Sequence, residues 1–207
     1  MATRPPSGSS TAPSTGERGF GDDEAALLAR RLHLRKTELF TSMVNQGLVP
    51  TRPGVTRLIE DLRGCGIRLA VATTGSRSWV VALLERLFGL DCFEVIVTGD
   101  EAPRRKPDPS AYRLALETLG TDATRVLAIE DSANGLTAAR AAGLCCVMVL
   151  NDYTRDHDVR GAALVVDGFG EPGALANALA NPYAVDWHGI LDAATLQGLW
   201  RAWVAER

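Results

Sequence analysis

Two apolar runs, Leu69-Ala70-Val71-Ala72 and Val147-Met148-Val149-Leu150, carry no polar residue at either parity. A strand with one wet face alternates apolar and polar residues, whereas an unbroken run is buried on both faces. Strands of that kind belong to parallel sheets covered by helices on both sides. Helical stretches do separate the runs here. The expected class is therefore α/β, a doubly wound parallel sheet.

Helices are expected over residues 54–63, 79–88, 109–119 and 135–142, and strands over 67–73, 93–98, 126–131, 145–150 and 163–166. Gly64 and Gly66 end the first of these helices, and Asp108 N-caps the third with Pro109 at its first position. Ahead of this block, residues 24–34 and 36–46 read as two short helices, each with an apolar stripe. Residues 2–19 are rich in Ser, Thr, Pro and Gly without apolar period and read as disordered. The tail from residue 173 to 207 shows two helical patterns, and Trp200 and Trp203, at i and i+3, are expected to pack back on the body.

A net charge of -3 gives no electrostatic reason to expect nucleic acid or an anionic membrane as partner. The longest apolar run, residues 144–150, is too short to span a bilayer, and no apolar signal-peptide core follows Met1. Cys65, Cys92, Cys145 and Cys146 form no CxxC pair and have no His at zinc spacing, so buried reduced thiols and a cytoplasmic location are expected.

Three strand ends carry polar groups. The strand over 67–73 delivers Thr73 and Thr74, then Gly75 and Ser76. Hydroxyls and N–H groups at a strand-to-helix turn suit a phosphate oxygen, although Ser76 or Ser78 could simply cap the next helix. Lys106, in Arg104-Arg105-Lys106-Pro107-Asp108-Pro109, sits just before a helix start, where an ammonium can neutralise a phosphoryl group. Its bland alternative is a solvated basic loop. Glu130 and Asp131 end a buried strand, where two carboxylates are costly unless they meet a cation or donors. Oxygen ligands without His or Cys suit Mg²⁺, and helix capping by Asp131 and Ser132 is the alternative.

The residues Arg52-Pro53-Gly54-Val55, Leu69 to Thr74, Arg105 to Pro109, Glu130-Asp131-Ser132-Ala133-Asn134-Gly135 and Tyr153 to Asp158 together resemble the haloacid-dehalogenase-like (HAD) hydrolase superfamily, subfamily IA. Within it the chain is similar to the CbbY-like branch of sugar-phosphate phosphatases. The resemblance implies a Rossmann-like core over 51–172, a partial helical cap over 21–50, a disordered segment over 1–20 and a helical tail over 173–207. It also implies a small phosphorylated metabolite as partner and Mg²⁺ as cofactor. Thr73 would bond the transferring phosphoryl group with Thr74 beside it, Lys106 would compensate its charge, and Glu130 and Asp131 would support the metal. Cap closure would exclude water.

The same family carries its nucleophile in an Asp-x-Asp-x-Thr motif on an N-terminal strand. The 207 residues contain no such motif; Asp22-Asp23-Glu24 reads as a helix's first turn, where acids suit the dipole. The resemblance places the missing strand in mid-sheet, between the strand ending at Thr73 and the one ending at Asp131. Strands sit about 4.8 Å apart, so those neighbours would stand about 10 Å apart with facing unpaired edges. A truncated reading frame or decayed gene is the favoured explanation, and a partner that supplies the strand is another. The expected function is a Mg²⁺-dependent phosphatase of small sugar phosphates, inactive as written. A non-catalytic phosphate-binding module and a β-phosphoglucomutase-like mutase are the alternatives.

Overall fold

The computed structural model describes residues 21–207, so the expected disorder of residues 1–20 lies outside it. The chain divides into two compact units between Leu39 and Phe40. The division falls inside α1 (Asp22–Gln46), one continuous helix where two were expected. No Gly or Pro interrupts residues 22–46, and nothing at Leu34-Arg35 can stop a helix made largely of strong helix formers. In the first unit Leu27, Leu28, Leu32, Leu34 and Leu39 are exposed. In the second, Val44 is buried and the Phe40 ring meets Trp79 edge-on at 4.8 Å between centroids.

The remaining elements alternate as the apolar runs require: α2 (Val55–Gly64), β1 (Ala70–Ala72), α3 (Arg77–Phe88), β2 (Val95–Val97), α4 (Ser110–Leu119), β3 (Leu127–Glu130), α5 (Ala133–Ala141), β4 (Cys145–Val149), β5 (Leu164–Val166), β6 (Ala178–Ala180) and α6 (Ala193–Ala205). The strands are shorter than the runs that encode them. All pairings are parallel except β5 with β6. The tail carries one helix and the edge strand β6 where two helices were expected.

β4 is the spine of the core, with all five residues buried. Its alternation sends Cys145, Val147 and Val149 to one face, where they meet Leu58 and Leu62 of α2 and Leu199 and Trp203 of α6. Cys146 and Met148 go to the other face, against Tyr112 of α4 and Leu136 and Ala139 of α5. Helices on both faces of parallel strands make this the expected doubly wound α/β arrangement. Trp203 is buried in the core, and Trp200 Nε1 donates to Thr124 O at 2.7 Å, so both tail tryptophans pack back as expected.

The sheet is interrupted. β1 pairs with β2 alone, and β3 belongs to a separate four-stranded sheet in the order β3-β4-β5-β6. Between them lies a cavity of about 670 Å³, lined along one side by residues 66–72 and along the other by residues 125–129. This is the position the resemblance assigns to the absent strand.

Of the cysteines, Cys92, Cys145 and Cys146 are buried and all four are free, but Cys65 is exposed, against expectation. It follows the last turn of α2, where the chain leaves the core at Gly64 and Gly66.

Candidate active site

The three polar strand ends lie at the carboxyl edges of β1, β2 and β3, where parallel sheets present ligand-binding groups. At the end of β1, Thr73 N donates to Val97 O at 2.9 Å, extending the ladder one residue beyond the strand. Thr73 Oγ1 accepts from Gly75 N at 3.2 Å, closing a tight turn, and Thr74 is exposed. The crossing of this turn with the β2 loop is close: a Cβ on Gly99 would stand 2.5 Å from Thr74 O. Ser76 occupies the N-cap position of α3 without a side-chain bond to the helix. The helix-start donor Arg77 N is taken instead by Asp100 Oδ2 at 2.8 Å. The Ser76 hydroxyl is therefore not spent on capping.

Lys106 is delivered by the loop after β2. Its side chain is only 12% exposed and reaches across the interruption in the sheet. Nζ donates to Ala72 O at 2.8 Å, at the end of β1, and pairs with Glu130 Oε1, at the end of β3. The expected alternative of a solvated basic loop therefore fails for Lys106, although Arg104 and Arg105 are exposed. The loop is tied into α4 by Asp108, whose Oδ1 accepts from Ser110 N at 2.9 Å. The helix proper begins at Ser110 with Pro109 at the N-cap, one place later than the sequence suggested.

Glu130 and Asp131 part company. The Glu130 side chain is 8% exposed and turns inward to Lys106 and to the Tyr112 hydroxyl, which donates to the same oxygen. Gly135 makes room for it, since any Cβ there would overlap the Glu130 carboxylate. Asp131 is exposed. The alternative role of helix capping is filled by Ser132, whose Oγ accepts from Gly135 N at 3.2 Å. Asp131 is therefore left facing solvent at the strand end. Beside it His157 Nδ1 accepts from Ala133 N at 3.2 Å, bringing the 151–158 loop against the start of α5.

Tyr112 is the participant the sequence reading missed. Its ring lies 4.6 Å from Lys106 Nζ, centroid to nitrogen, and burial followed by the Glu130 charge pushes its phenol well above the usual tyrosine range. The phenol is therefore a fixed donor. The signal available in the sequence was its place in the first turn of α4, just after Lys106.

An ammonium has three N–H donors. Two are spoken for by Ala72 O and Glu130, leaving one for an incoming anion. For magnesium, the described residues hold no cluster of three or more His, Cys, Asp or Glu side chains. Mg²⁺ does not require one, because it keeps several waters and takes one or two carboxylates plus substrate phosphate. Asp131 fits that requirement; Glu130 is engaged elsewhere.

Residues 12–143 match the family model described as haloacid dehalogenase-like hydrolase. The chain belongs to this family. Among HAD-like relatives it is 43% identical over 157 residues to Protein CbbY of Cereibacter sphaeroides, covering 74% of this chain and 68% of the relative. It is 42% identical over 143 residues to the CBBY-like protein of Arabidopsis thaliana, covering 68% of this chain and 45% of that one. Among solved HAD-like structures, CbbY from Rhodobacter sphaeroides in complex with phosphate superposes with a TM-score of 0.62 at 42% identity, over 67% of this chain and 63% of that chain. The chain thus spans between about half and two thirds of the length of these relatives.

Proposed function

We propose that this chain carries the phosphoryl-binding part of a Mg²⁺-dependent phosphatase acting on small sugar phosphates, with sugar bisphosphates as the first class to test. The observation that supports it best is Lys106, a half-neutralised ammonium held between two strand ends with one donor uncommitted. Thr73 and Thr74 present hydroxyls and turn N–H groups on one side of it, and Asp131 presents a carboxylate on the other. In this reading Lys106 binds and orients a phosphoryl oxygen, Thr73 fixes a second, and Tyr112 and Glu130 hold the Lys106 side chain in place. When bound, Mg²⁺ would sit at Asp131 and neutralise phosphate charge. The CbbY structures from Rhodobacter sphaeroides in complex with phosphate and with Xylulose-(1,5)bisphosphate fit this ligand class.

The family's attacking carboxylate has no counterpart in these 207 residues, which hold no Asp-x-Asp-x-Thr motif. The chain by itself is therefore proposed to bind without turning over. That same observation favours a second reading, a non-catalytic phosphate-binding module. Calorimetry of the chain with inorganic phosphate and with xylulose 1,5-bisphosphate, each with Mg²⁺, tests the site. Binding without phosphate release is expected, weakened about tenfold or more by Thr73→Val and by Lys106→Ala. A folded chain that binds neither ligand overturns the site; turnover abolished by Lys106→Ala and Asp131→Asn overturns the claim of inactivity. Turnover gained when an apolar strand ending in Asp-x-Asp-x-Thr is fused to the chain selects the phosphatase over the module.

A further inference from the structure

The interruption in the sheet is a binding site in its own right. β1 and β3 each use one edge for a neighbour, leaving the other edge without a strand partner among the described residues. The two free edges face one another across the cavity of about 670 Å³. They run in the same direction, because Lys106 ties the carboxyl ends of both together, through Ala72 O and Glu130. Backbone N–H and C=O groups along such edges need partners, and water serves them poorly in an apolar slot.

The walls state what the partner must be. Leu62 of α2 and Leu196 of α6 form one face, Tyr112 and Leu116 of α4 the other, and Leu69 and Ile129 stand at the edges. An occupant must therefore be apolar on both sides and hydrogen-bond along both edges. That describes a central β-strand, not a small molecule or a helix. The lining stretch 125–129 is five residues long, about 17 Å at strand rise.

We propose that this slot binds one extended apolar peptide strand of five or six residues, supplied from outside this 207-residue sequence, by β-augmentation on both of its edges. Residues 1–20 do not supply it. They contain Pro5, Pro6 and Pro13 and no apolar run longer than Met1-Ala2, and proline cannot donate to a ladder. The inference does not rest on the phosphatase reading; it needs only the two edges and the walls.

The test adds synthetic peptides to the full chain and follows amide hydrogen exchange. One peptide alternates Val, Ile and Leu behind a short lysine tail; the second is the same with proline at its centre. The first is expected to slow exchange about tenfold or more in residues 70–72 and 127–129, with residues 145–149 unchanged, and to raise the melting temperature. The proline peptide is expected to do neither. Equal responses to both peptides, protection confined to the exposed leucines of α1, or no protection at either edge would each overturn the proposal. So would edges already protected in a peptide-free dimer, which would make a second copy the occupant. If the chain alone is aggregated, the peptides are present during refolding; failure of the first to yield a monomer counts against the slot as well.

Discussion

The β3–β6 sheet and the β1–β2 pair are built from the same kind of apolar sequence, yet they differ sharply in how well they are covered. β4 and β5 are buried at every residue, with helices on both faces. β1 has no residue in the buried class, although Ala70, Val71 and Ala72 are all apolar. The difference lies in the neighbours and not in the strands. β4 has a strand on each side; β1 has one on one side and a cavity on the other. Hydrophobicity specifies that a segment be buried, but only the adjoining strand decides whether it is.

Three substitutions would break or sharpen that contrast. The largest effect is expected at Lys106, the side chain that reaches from one half to the other. Lys106→Met leaves Glu130 buried without its cation, and breaking a buried pair this way costs about 3–5 kcal/mol. Urea unfolding should show the loss, and hydrogen exchange should show β1 opening before β4. A loss below about 1 kcal/mol would mean the pair behaves as a surface bridge.

Core truncation comes next. Leu164→Ala in β5 removes a fully buried side chain and should cost about 2–5 kcal/mol. Val71→Ala in β1, where the side chain is only partly covered, should cost about 1 kcal/mol. Equal denaturation midpoints for the two variants would erase the distinction between the halves. If the apolar peptide strand fills the slot, its presence should raise the cost of Val71→Ala toward that of a buried valine.

The smallest expected effect is at Tyr112. Tyr112→Phe removes a hydrogen bond to a buried carboxylate, at a cost of about 2 kcal/mol near neutral pH. The phenol is held above its ordinary value of 10.0 in the native state, first by burial and then by the Glu130 charge. Above that value the unfolded chain gives up a proton the native chain keeps, so stability falls as pH rises past 10. The gap between wild type and Tyr112→Phe should therefore narrow from about pH 9 to about pH 11 in paired thermal melts. A constant gap would show that Tyr112 ionises as readily folded as unfolded.

Much of this architecture was legible in the chain. The unbroken apolar runs marked β1, β3 and β4, and the resemblance located the interruption between β1 and β3. The spacing of Lys106 and Glu130 marked two strand ends, and the structure joins them. What stayed hidden depends on neighbours distant in sequence. β6 is three exposed residues, Ala178–Ala180, with no period of its own; it is a strand only because β5 offers an edge. The inward turn of Glu130 depends on the space at Gly135 and on the Tyr112 hydroxyl, neither visible from the Glu130-Asp131 pair alone.

Cys65 gives the molecule a built-in reporter. It is the exposed thiol among the four, and it sits between Gly64 and Gly66, the latter on the rim of the slot. Burial pushes the Cys145 thiol up to about 12 and raises Cys146 as well, so neither competes as a thiolate at neutral pH. A maleimide dye should therefore label the native protein at Cys65 and read out, by its own fluorescence, whether anything has entered beside it.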